Sequence, residues 1–289
     1  MIIFLRLLQG LFRLIFKLPA AWAILIMRGA AEIIFQIVRL TKIRKVAARN
    51  IRQVFPAADG EKLADSLLKN TSHFAFEVLC TPFFEISHVD LICRMIGLEK
   101  IDLALAERKG LILLTMHTGN YELIPTFLAT HGYHVASILK APMDDPLFKF
   151  LNPSRSHKGI RLINVLEGNM YRDALQALDR NRCLCIAADT GALESRHEML
   201  PFLGKMLPVA TGWIALAQRS GSPVLPILSR REGNQLIMTV GDPIIIKRDN
   251  REEVIQKASN YFEAFIKKYP DQWGIFINEY ETKRMVEGK

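Results

Sequence analysis

The chain has few cysteines, and their spacing does not suggest a metal or redox site. The four are Cys80, Cys93, Cys183 and Cys185, and no two of them form a Cys-x-x-Cys pair. Cys183 and Cys185 alternate within the apolar run Cys-Leu-Cys-Ile-Ala-Ala, as cysteines of a buried strand do. We therefore expect core cysteines in a reducing, cytoplasmic setting.

Two common catalytic motifs are also missing. The sequence contains no Gly-x-Ser-x-Gly elbow and no Walker phosphate loop, so a serine hydrolase or a nucleotide-binding protein lacks its main evidence. No internal repeat, linker or low-complexity tract interrupts the 289 residues, half of which are apolar. These features exclude a disordered chain and predict one compact domain with an N-terminal helical appendage.

Acidic residues are almost absent from the first 55 positions. This segment holds ten lysines and arginines against one acid, Glu32, so it accounts for the whole net charge of +9. Its basic residues are interleaved with isoleucine, leucine, phenylalanine and tryptophan, a mixture too apolar for the solvated arm of a nucleic-acid-binding protein. The segment therefore predicts contact with an anionic membrane surface and no nucleic-acid partner.

The same segment has no long uncharged run. Its longest, residues 18–27, has ten residues, short of the roughly 20 needed to span a bilayer core. A secretory signal peptide is a rival interpretation, but Arg6, Arg13 and Lys17 break up the apolar core, and no clear cleavage site follows. We expect residues 1–48 to form retained amphipathic helices in the membrane interface. A buried helical hairpin with a basic rim and a tilted or re-entrant insertion are the alternatives.

Strand-like and helix-like segments alternate through the rest of the chain, residues 49–289. The expected helices are 61–84, 121–130, 169–180, 209–220 and 250–269. The expected strands are 111–116, 134–139, 160–165, 183–188, 223–228 and 236–246. Such alternation predicts an α/β fold with a mostly parallel central sheet flanked by helices. Ligand groups should then lie at the carboxyl ends of the strands.

One histidine stands where a strand is expected to end. The apolar run from Leu111 leads to His117, passes Gly119 and reaches Glu122 at the start of a new helix. Imidazole suits proton transfer near neutral pH, but it needs a partner to fix its tautomer and to stabilise its charged form. A carboxylate supplies both, and Gly119 permits the turn that would bring Glu122 to His117. The pattern therefore predicts a catalytic His/Glu pair.

A series of motifs resembles a known family. These motifs are Asn-Ile-Arg-Gln-Val-Phe-Pro from Asn50, Gly-Leu-Glu-Lys from Gly97, Gly-Leu-Ile-Leu-Leu-Thr-Met-His-Thr-Gly-Asn-Tyr-Glu from Gly110, Ala-Asp from Ala188, Pro-Phe-Leu-Gly from Pro201, Ala-Thr-Gly from Ala210, Pro-Ile-Leu-Ser-Arg from Pro226 and Pro-Asp-Gln-Trp from Pro270. Their order and spacing resemble the bacterial lysophospholipid and lipid A acyltransferases, which include lauroyl and myristoyl transferases and phosphatidylinositol mannoside acyltransferases. The resemblance implies a glycerolipid acyltransferase-like fold.

The resemblance also implies a reaction. A fatty acyl chain would pass from a thioester donor, acyl carrier protein or acyl-CoA, to a hydroxyl of a membrane glycolipid such as a lipid A precursor, or of a lysolipid. His117 would be the general base and Glu122 would hold its ring, as the family's catalytic pair does. No cofactor is expected. The place of work would be the cytoplasmic face of a bacterial inner membrane, with the protein peripheral or monotopic. After Trp273 the chain lacks the Trp-, His- and Arg-rich ending common in the lipid A branch, which bears on the acceptor and not on the chemistry.

Two other classes of protein remain as alternatives. One is a noncatalytic lipid-binding or transfer protein with an apolar tunnel and the same membrane anchor. The intact His/Glu pair argues against it. The other is a hydrolase of thioesters or acyl lipids, which would deliver the acyl group to water and not to an alcohol.

Four further residues are candidate substrate contacts, each with a simpler alternative. Gly119 and Asn120 either contact the substrate or only form and cap the turn. Arg155 lies in a polar, basic segment that either binds phosphate through the guanidinium fork or is a solvated loop. Asp189 ends another expected strand, where it would orient His117, bind an acceptor hydroxyl or simply form a turn.

Two histidines have the spacing of a metal motif. His131 and His134 form His-x-x-His, but no third ligand is evident and the segment leads into an expected strand. We therefore expect no metal site.

Overall fold

The computed structural model of the protein describes residues 2–142, 144–189, 197–247, 249–280 and 282–283. Its helices are Ile2–Ile15 (α1), Ala20–Val38 (α2), Lys42–Val54 (α3), Gly60–Cys80 (α4), Ile86–Ile92 (α5), Leu98–Ala106 (α6), Leu123–Thr130 (α7), Pro146–Arg155 (α8), Met170–Asp179 (α9), Gly212–Ser220 (α10) and Arg251–Lys268 (α11). Its strands are Cys93–Ile96 (β1), Leu111–Thr115 (β2), Val135–Leu139 (β3), Arg161–Asn164 (β4), Cys183–Ala187 (β5), His197–Phe202 (β6), Lys205–Ala210 (β7), Val224–Glu232 (β8) and Gln235–Val240 (β9).

Seven of these strands form one sheet, in the order β1-β9-β8-β2-β5-β3-β4. The five strands from β8 to β4 are parallel, β9 is antiparallel to β8, and β1 is parallel to β9. Among the residues that the structure describes, β6 and β7 form a separate antiparallel hairpin. The predicted α/β fold with a mostly parallel central sheet is therefore confirmed.

Strand β2 lies at the centre of the sheet, and all five of its residues are buried. Leu111 and Leu113 pack into one apolar cluster, whereas Ile112 and Leu114 pack into a second one on the other face. This division follows from the alternation of side chains along a strand. One cluster includes residues of α1, α2, α4 and α7, and the other includes residues of α3, α4, α9, α10 and α11. Helices therefore cover both faces of the sheet.

Strand β1, the β6–β7 hairpin and helix α8 are among the elements that differ from the expectations. Strand β1 and the β6–β7 hairpin were not predicted. Strand β1 has only four residues, lies at the sheet edge and carries no long apolar pattern. Helix α8 occupies a segment predicted as a loop. A capping signal for it was present, since Asp145 accepts from the backbone nitrogens of Leu147 and Phe148, and Pro146 occupies the first helical position.

The N-terminal helices present an apolar surface to solvent. On α1, Phe12 is buried, but Ile3, Phe4, Leu7 and Leu11 are exposed. Helix α2 is long and apolar enough to cross a membrane, and 28% of its most apolar window is buried. By length and composition alone this is weak evidence for a span, because the core helix of a soluble protein meets the same criterion.

The predicted boundary after residue 48 falls inside α3. Three residues of this helix are fully buried in the apolar cluster that contains Ile112 and Leu114 of β2. They are Ala47, Ala48 and Ile51. Helix α3 packs against α4, and α2 packs against α4 and α5. The division into a membrane-associating segment and an acyltransferase domain therefore stays a prediction.

A buried histidine on α4 should make the fold sensitive to acid. Burial lowers the pKa of His73 to about 4, and the positive charge of Arg231 contributes to the decrease. The unfolded chain takes up this proton near the ordinary histidine pKa of about 6.5. The folded protein does so only near the lower value, so stability should fall as the pH decreases from about 6.5 to 4, by about 3 kcal/mol at most.

Substitution of His73 should remove this part of the acid sensitivity. We expect the free energy of unfolding of His73→Leu to decrease less between pH 7 and pH 4 than that of the wild type, measured by urea denaturation at each pH. Exposed His134 provides the matched control, since His134→Leu removes an imidazole that the fold does not bury. An identical pH dependence in wild type and His73→Leu would contradict the expected role of His73.

Candidate active site

Two neighbouring strands bring His117 and Asp189 together. Strands β2 and β5 are parallel, and their register pairs Thr115 with Ala187. His117 and Asp189 each lie two residues beyond this pair, at the same carboxyl edge of the sheet. Parallel neighbours in register place equivalent positions side by side. The local sequence therefore sets each residue at a strand end, and strand pairing sets them against each other.

The Asp189 carboxylate holds both the backbone and the ring of His117. Its Oδ1 lies 2.7 Å from His117 Nδ1, and its Oδ2 accepts from the His117 backbone nitrogen at 3.0 Å. A third bond comes from the indole of Trp273, whose Nε1 donates to Oδ2 at 2.8 Å. With Nδ1 committed to a carboxylate, the neutral ring carries its proton there and leaves Nε2 as the atom that accepts one.

Asp189 is buried and yet favours its ionised form. Burial by itself would raise the pKa of this carboxyl group, but the charge of His117 and the hydrogen bonds from His117 and Trp273 outweigh it, so the pKa lies below its ordinary value. The His117 side chain, in contrast, is 28% exposed. A buried negative charge therefore lies next to a partly exposed imidazole ring.

Glu122 binds Arg155. The guanidinium donates through Nε to Oε2 at 2.8 Å and through Nη2 to Oε1 at 2.5 Å, a two-pronged contact across 33 residues of sequence. The pair stays close to the site, since Tyr121 precedes Glu122 and packs edge-on against the His117 ring at 4.4 Å between centroids.

These contacts bear on two sequence expectations. Asp189 is the carboxylate at Nδ1 of the His117 ring, which fits one of the roles considered for Asp189, whereas the Glu122 carboxylate accepts from Arg155. The ring-holding role expected of Glu122 stays a prediction. The fork of Arg155, which was expected to bind phosphate or lie in a solvated loop, is engaged by Glu122 at the end of α8. Contacts of Asp189 and Arg155 with a substrate stay predictions.

Gly119 makes the turn after β2 possible. Its φ is +54°, and a Cβ added there would lie 2.5 Å from the carbonyl oxygen of Ser229. Its nitrogen donates to the Gln272 carbonyl at 2.8 Å, and the Gly274 nitrogen donates to the His117 carbonyl at 2.9 Å. Only glycine combines this conformation with this close approach. Gly119 therefore shapes the turn, and its contact with a substrate stays a prediction.

Asn120 is fully buried beneath the turn. Its Nδ2 donates to Glu77 Oε2 at 2.7 Å, and Glu77 in turn forms an ion pair with Arg231. This contact fits the turn-capping alternative considered for Asn120, whereas substrate contact stays a prediction. Sequence reasoning missed Glu77 and Arg231. The only signal for Glu77 is a charged residue inside the apolar run Phe-Ala-Phe-Glu-Val-Leu-Cys of α4.

His131 and His134 are not held as a pair. The ring of His131 contacts the Phe127 carbonyl oxygen at 2.8 Å and Asp90 Oδ1 at 3.0 Å, whereas His134 is exposed just before β3. Across the ranges that the structure describes, no three histidine, cysteine, aspartate or glutamate side chains lie together as a metal site would need.

Comparison with known proteins places these residues in a family context. The family described as "Bacterial lipid A biosynthesis acyltransferase" matches residues 2–282. The chain is 24% identical to the phosphatidylinositol mannoside acyltransferase of Mycobacterium tuberculosis (strain ATCC 25618 / H37Rv) over 238 residues, which are 80% of this chain and 74% of that protein. It is 23% identical, with the same coverage, to the protein of the same name from strain CDC 1551 / Oshkosh. Since the family match extends over nearly the whole chain, the protein belongs to the bacterial lipid A biosynthesis acyltransferases.

Proposed function

We propose that the protein transfers a fatty acyl chain from a thioester donor, acyl carrier protein or acyl-CoA, to a hydroxyl of a membrane glycolipid such as a lipid A precursor, or of a lysolipid. Family membership supports acyl transfer in general. The observation that carries the mechanism is the His117 ring held at Nδ1 by a buried, ionised Asp189. A histidine at the end of a central parallel strand also supports a glycerolipid acyltransferase-like arrangement.

The proposed chemistry is a direct transfer. His117 Nε2 removes the proton of the acceptor hydroxyl while the hydroxyl oxygen attacks the thioester carbonyl. The tetrahedral intermediate then collapses, the carbon–sulfur bond breaks, and the departing thiolate takes the proton from the imidazolium. Asp189 stabilises that imidazolium and keeps Nε2 directed at the acceptor. The scheme needs no cofactor.

Glu122 and Arg155 form the second charged pair of the proposed site. Their side chains are 12% and 19% exposed, so the pair is largely shielded from water and holds a fixed geometry. We propose that Glu122 acts by fixing Arg155 and Tyr121 next to His117. The ester-forming groups would then meet between this pair and the His117 ring.

Substitutions at His117 and Asp189 test the mechanism. His117→Ala should reduce acyl transfer by about 100- to 10,000-fold with the fold intact, because the acceptor loses its base. Asp189→Asn should reduce the rate and shift the acidic limb of the kcat/KM profile to lower pH, because loss of the carboxylate lowers the pKa of His117. Glu122→Gln is the matched carboxylate-to-amide control. We expect Glu122→Gln to shift the acidic limb of the kcat/KM profile less than Asp189→Asn does.

The assay is mass spectrometry of acylated lipid with purified protein across pH 5 to 9, supported by lipid profiles of cells with and without the gene. His117→Ala with more than a tenth of the wild-type rate would exclude the assigned base. A limb that moves in Glu122→Gln but not in Asp189→Asn would return the ring-holding role to Glu122. Acyl product found on water alone would identify a hydrolase.

We also propose that α1 and α2 attach the protein to the cytoplasmic face of the inner membrane in a peripheral or monotopic manner. Their exposed apolar side chains and the basic residues of the segment support this placement. Arg28, near the middle of α2, donates to the carbonyl oxygens of Leu91 and Asn234, at 3.2 and 2.6 Å. These bonds tie the middle of α2 to the domain, which favours a helix lying on the membrane over one crossing it.

Membrane fractionation tests the attachment. High salt should release only part of the protein, because screening weakens the attraction to anionic lipid but not the insertion of apolar side chains. Much more of the double variant Leu7→Glu/Leu11→Glu should be released, because both leucines are exposed on α1. The variant Leu103→Glu, at a similarly exposed leucine on α6, should stay attached to the same extent as the wild type. Complete release of wild type by salt alone would indicate a purely electrostatic arm. A protein found soluble without salt would have no anchor in this segment.

A further inference from the structure

A buried ion pair lies beneath the turn that carries His117. The side chains of Glu77, on α4, and Arg231, on β8, are 0% and 4% exposed. Arg231 Nη2 donates to both carboxylate oxygens of Glu77 at 2.6 Å. Glu77 Oε2 also accepts from Asn120 Nδ2 at 2.7 Å. One carboxylate therefore joins a helix, a strand and the active-site turn.

Stability alone is a poor reason for this cluster. Burial of two charges costs desolvation that their attraction often fails to recover, and apolar replacements of such pairs are frequently neutral or stabilising. Arg28 of α2 also interacts electrostatically with both members of the pair, since Glu77 attracts it and Arg231 repels it. Glu77 therefore interacts with two cations. A buried polar network that is costly to maintain and that bonds to the active-site turn through Asn120 suggests a role in geometry.

The cluster reaches the turn at two successive residues. Glu77 holds the side chain of Asn120 directly. The backbone nitrogen of Arg231 donates to Gln272 Oε1 at 2.8 Å, and the Gln272 carbonyl accepts from the Gly119 nitrogen. The side chain of Glu77 thus fixes Asn120, and the backbone of Arg231 fixes Gly119 through Gln272.

His117 lies three residues before Asn120, on the same turn. The turn begins at His117, whose backbone nitrogen donates to Asp189, and Asp189 also accepts from Trp273. The His117 carbonyl accepts from the Gly274 nitrogen. The back end of the turn is held by Glu77 through Asn120. Because both ends are fixed, the direction of Nε2 depends on both contacts.

We propose that Glu77 is a positioning residue of the active site, which holds Asn120 and thereby directs His117 Nε2 at the acceptor hydroxyl. This inference rests on the proposed acyltransferase function. Misplacement of a reacting group by about 1 Å can cost about 100-fold in rate. Loss of the Glu77–Asn120 contact should therefore reduce kcat by about 10- to 100-fold and leave KM within about threefold, since Glu77 does not contact the substrate.

An exchange of donor and acceptor tests the contact. Asn120→Asp keeps the shape of the side chain but sets a second carboxylate against Glu77, so kcat should fall. Adding Glu77→Gln to Asn120→Asp supplies an amide donor to the new carboxylate and conserves the charge of the cluster. We expect the double variant to recover at least about tenfold in kcat over Asn120→Asp alone, because coupled partners are non-additive. Residues that merely support the fold would lower the melting temperature without this rescue.

Three controls accompany the exchange. Asp65→Asn removes a carboxylate from the same helix, where Asp65 pairs with Arg44 and not with the turn, and it should leave kcat unchanged. His117→Ala gives the rate without a base. Asn120→Ala leaves the Glu77–Arg231 pair intact and covers the case in which a charged variant does not fold. It should lower kcat with KM near wild type.

Each result decides one proposal. An inactive wild type or an active His117→Ala would overturn the proposed function itself. With that function upheld, a double variant no faster than Asn120→Asp would overturn the positioning role of Glu77. Wild-type kcat in Asn120→Ala, within about twofold, would do the same.

Discussion

The contact between Asp189 and His117 is the interaction on which the rest of the site depends. The buried Asp189 carboxylate keeps its charge because the charge of His117 and the hydrogen bonds from His117 and Trp273 outweigh the effect of burial on its pKa. Three separate parts of the chain, the ends of β2 and β5 and the short segment after α11, must therefore meet at one point. Once they meet, the contact at Nδ1 fixes the orientation of the ring and the nitrogen that carries the proton of the neutral form.

Two charged pairs surround this contact and differ in depth. Glu122 and Arg155 lie at the partly open rim, whereas Glu77 and Arg231 lie in the closed floor. The rim pair links the turn to α8, and the floor pair links it to α4 and β8. A turn held from three directions can place its histidine reproducibly. Family membership and this rigidity together support acyl transfer more strongly than either does alone.

The N-terminal helices connect the site to its expected surroundings. Helix α4, which carries Glu77, also packs against α2, and Arg28 of α2 bonds to backbone oxygens at Leu91 and Asn234. The apolar surface of α1 and α2 is thus part of the same folded unit as the floor of the site. A membrane attachment through these helices would present the site to lipid at a fixed height above the bilayer.

Much of this architecture follows from the sequence. The apolar runs that became β2 and β5 and the histidine and aspartate at their ends are local features, because side-chain periodicity and strand termination depend on neighbouring residues. The family motifs are also short local runs of sequence, so they indicated acyl transfer before the structure was known. The partner of His117 was decided by the tertiary structure. Glu122 was favoured by its closeness in sequence, whereas Asp189 lies 72 residues away and reaches the ring only through the register of two paired strands. Glu77, Arg231 and Trp273 reach the turn in the same way, by packing between distant elements that no local pattern encodes.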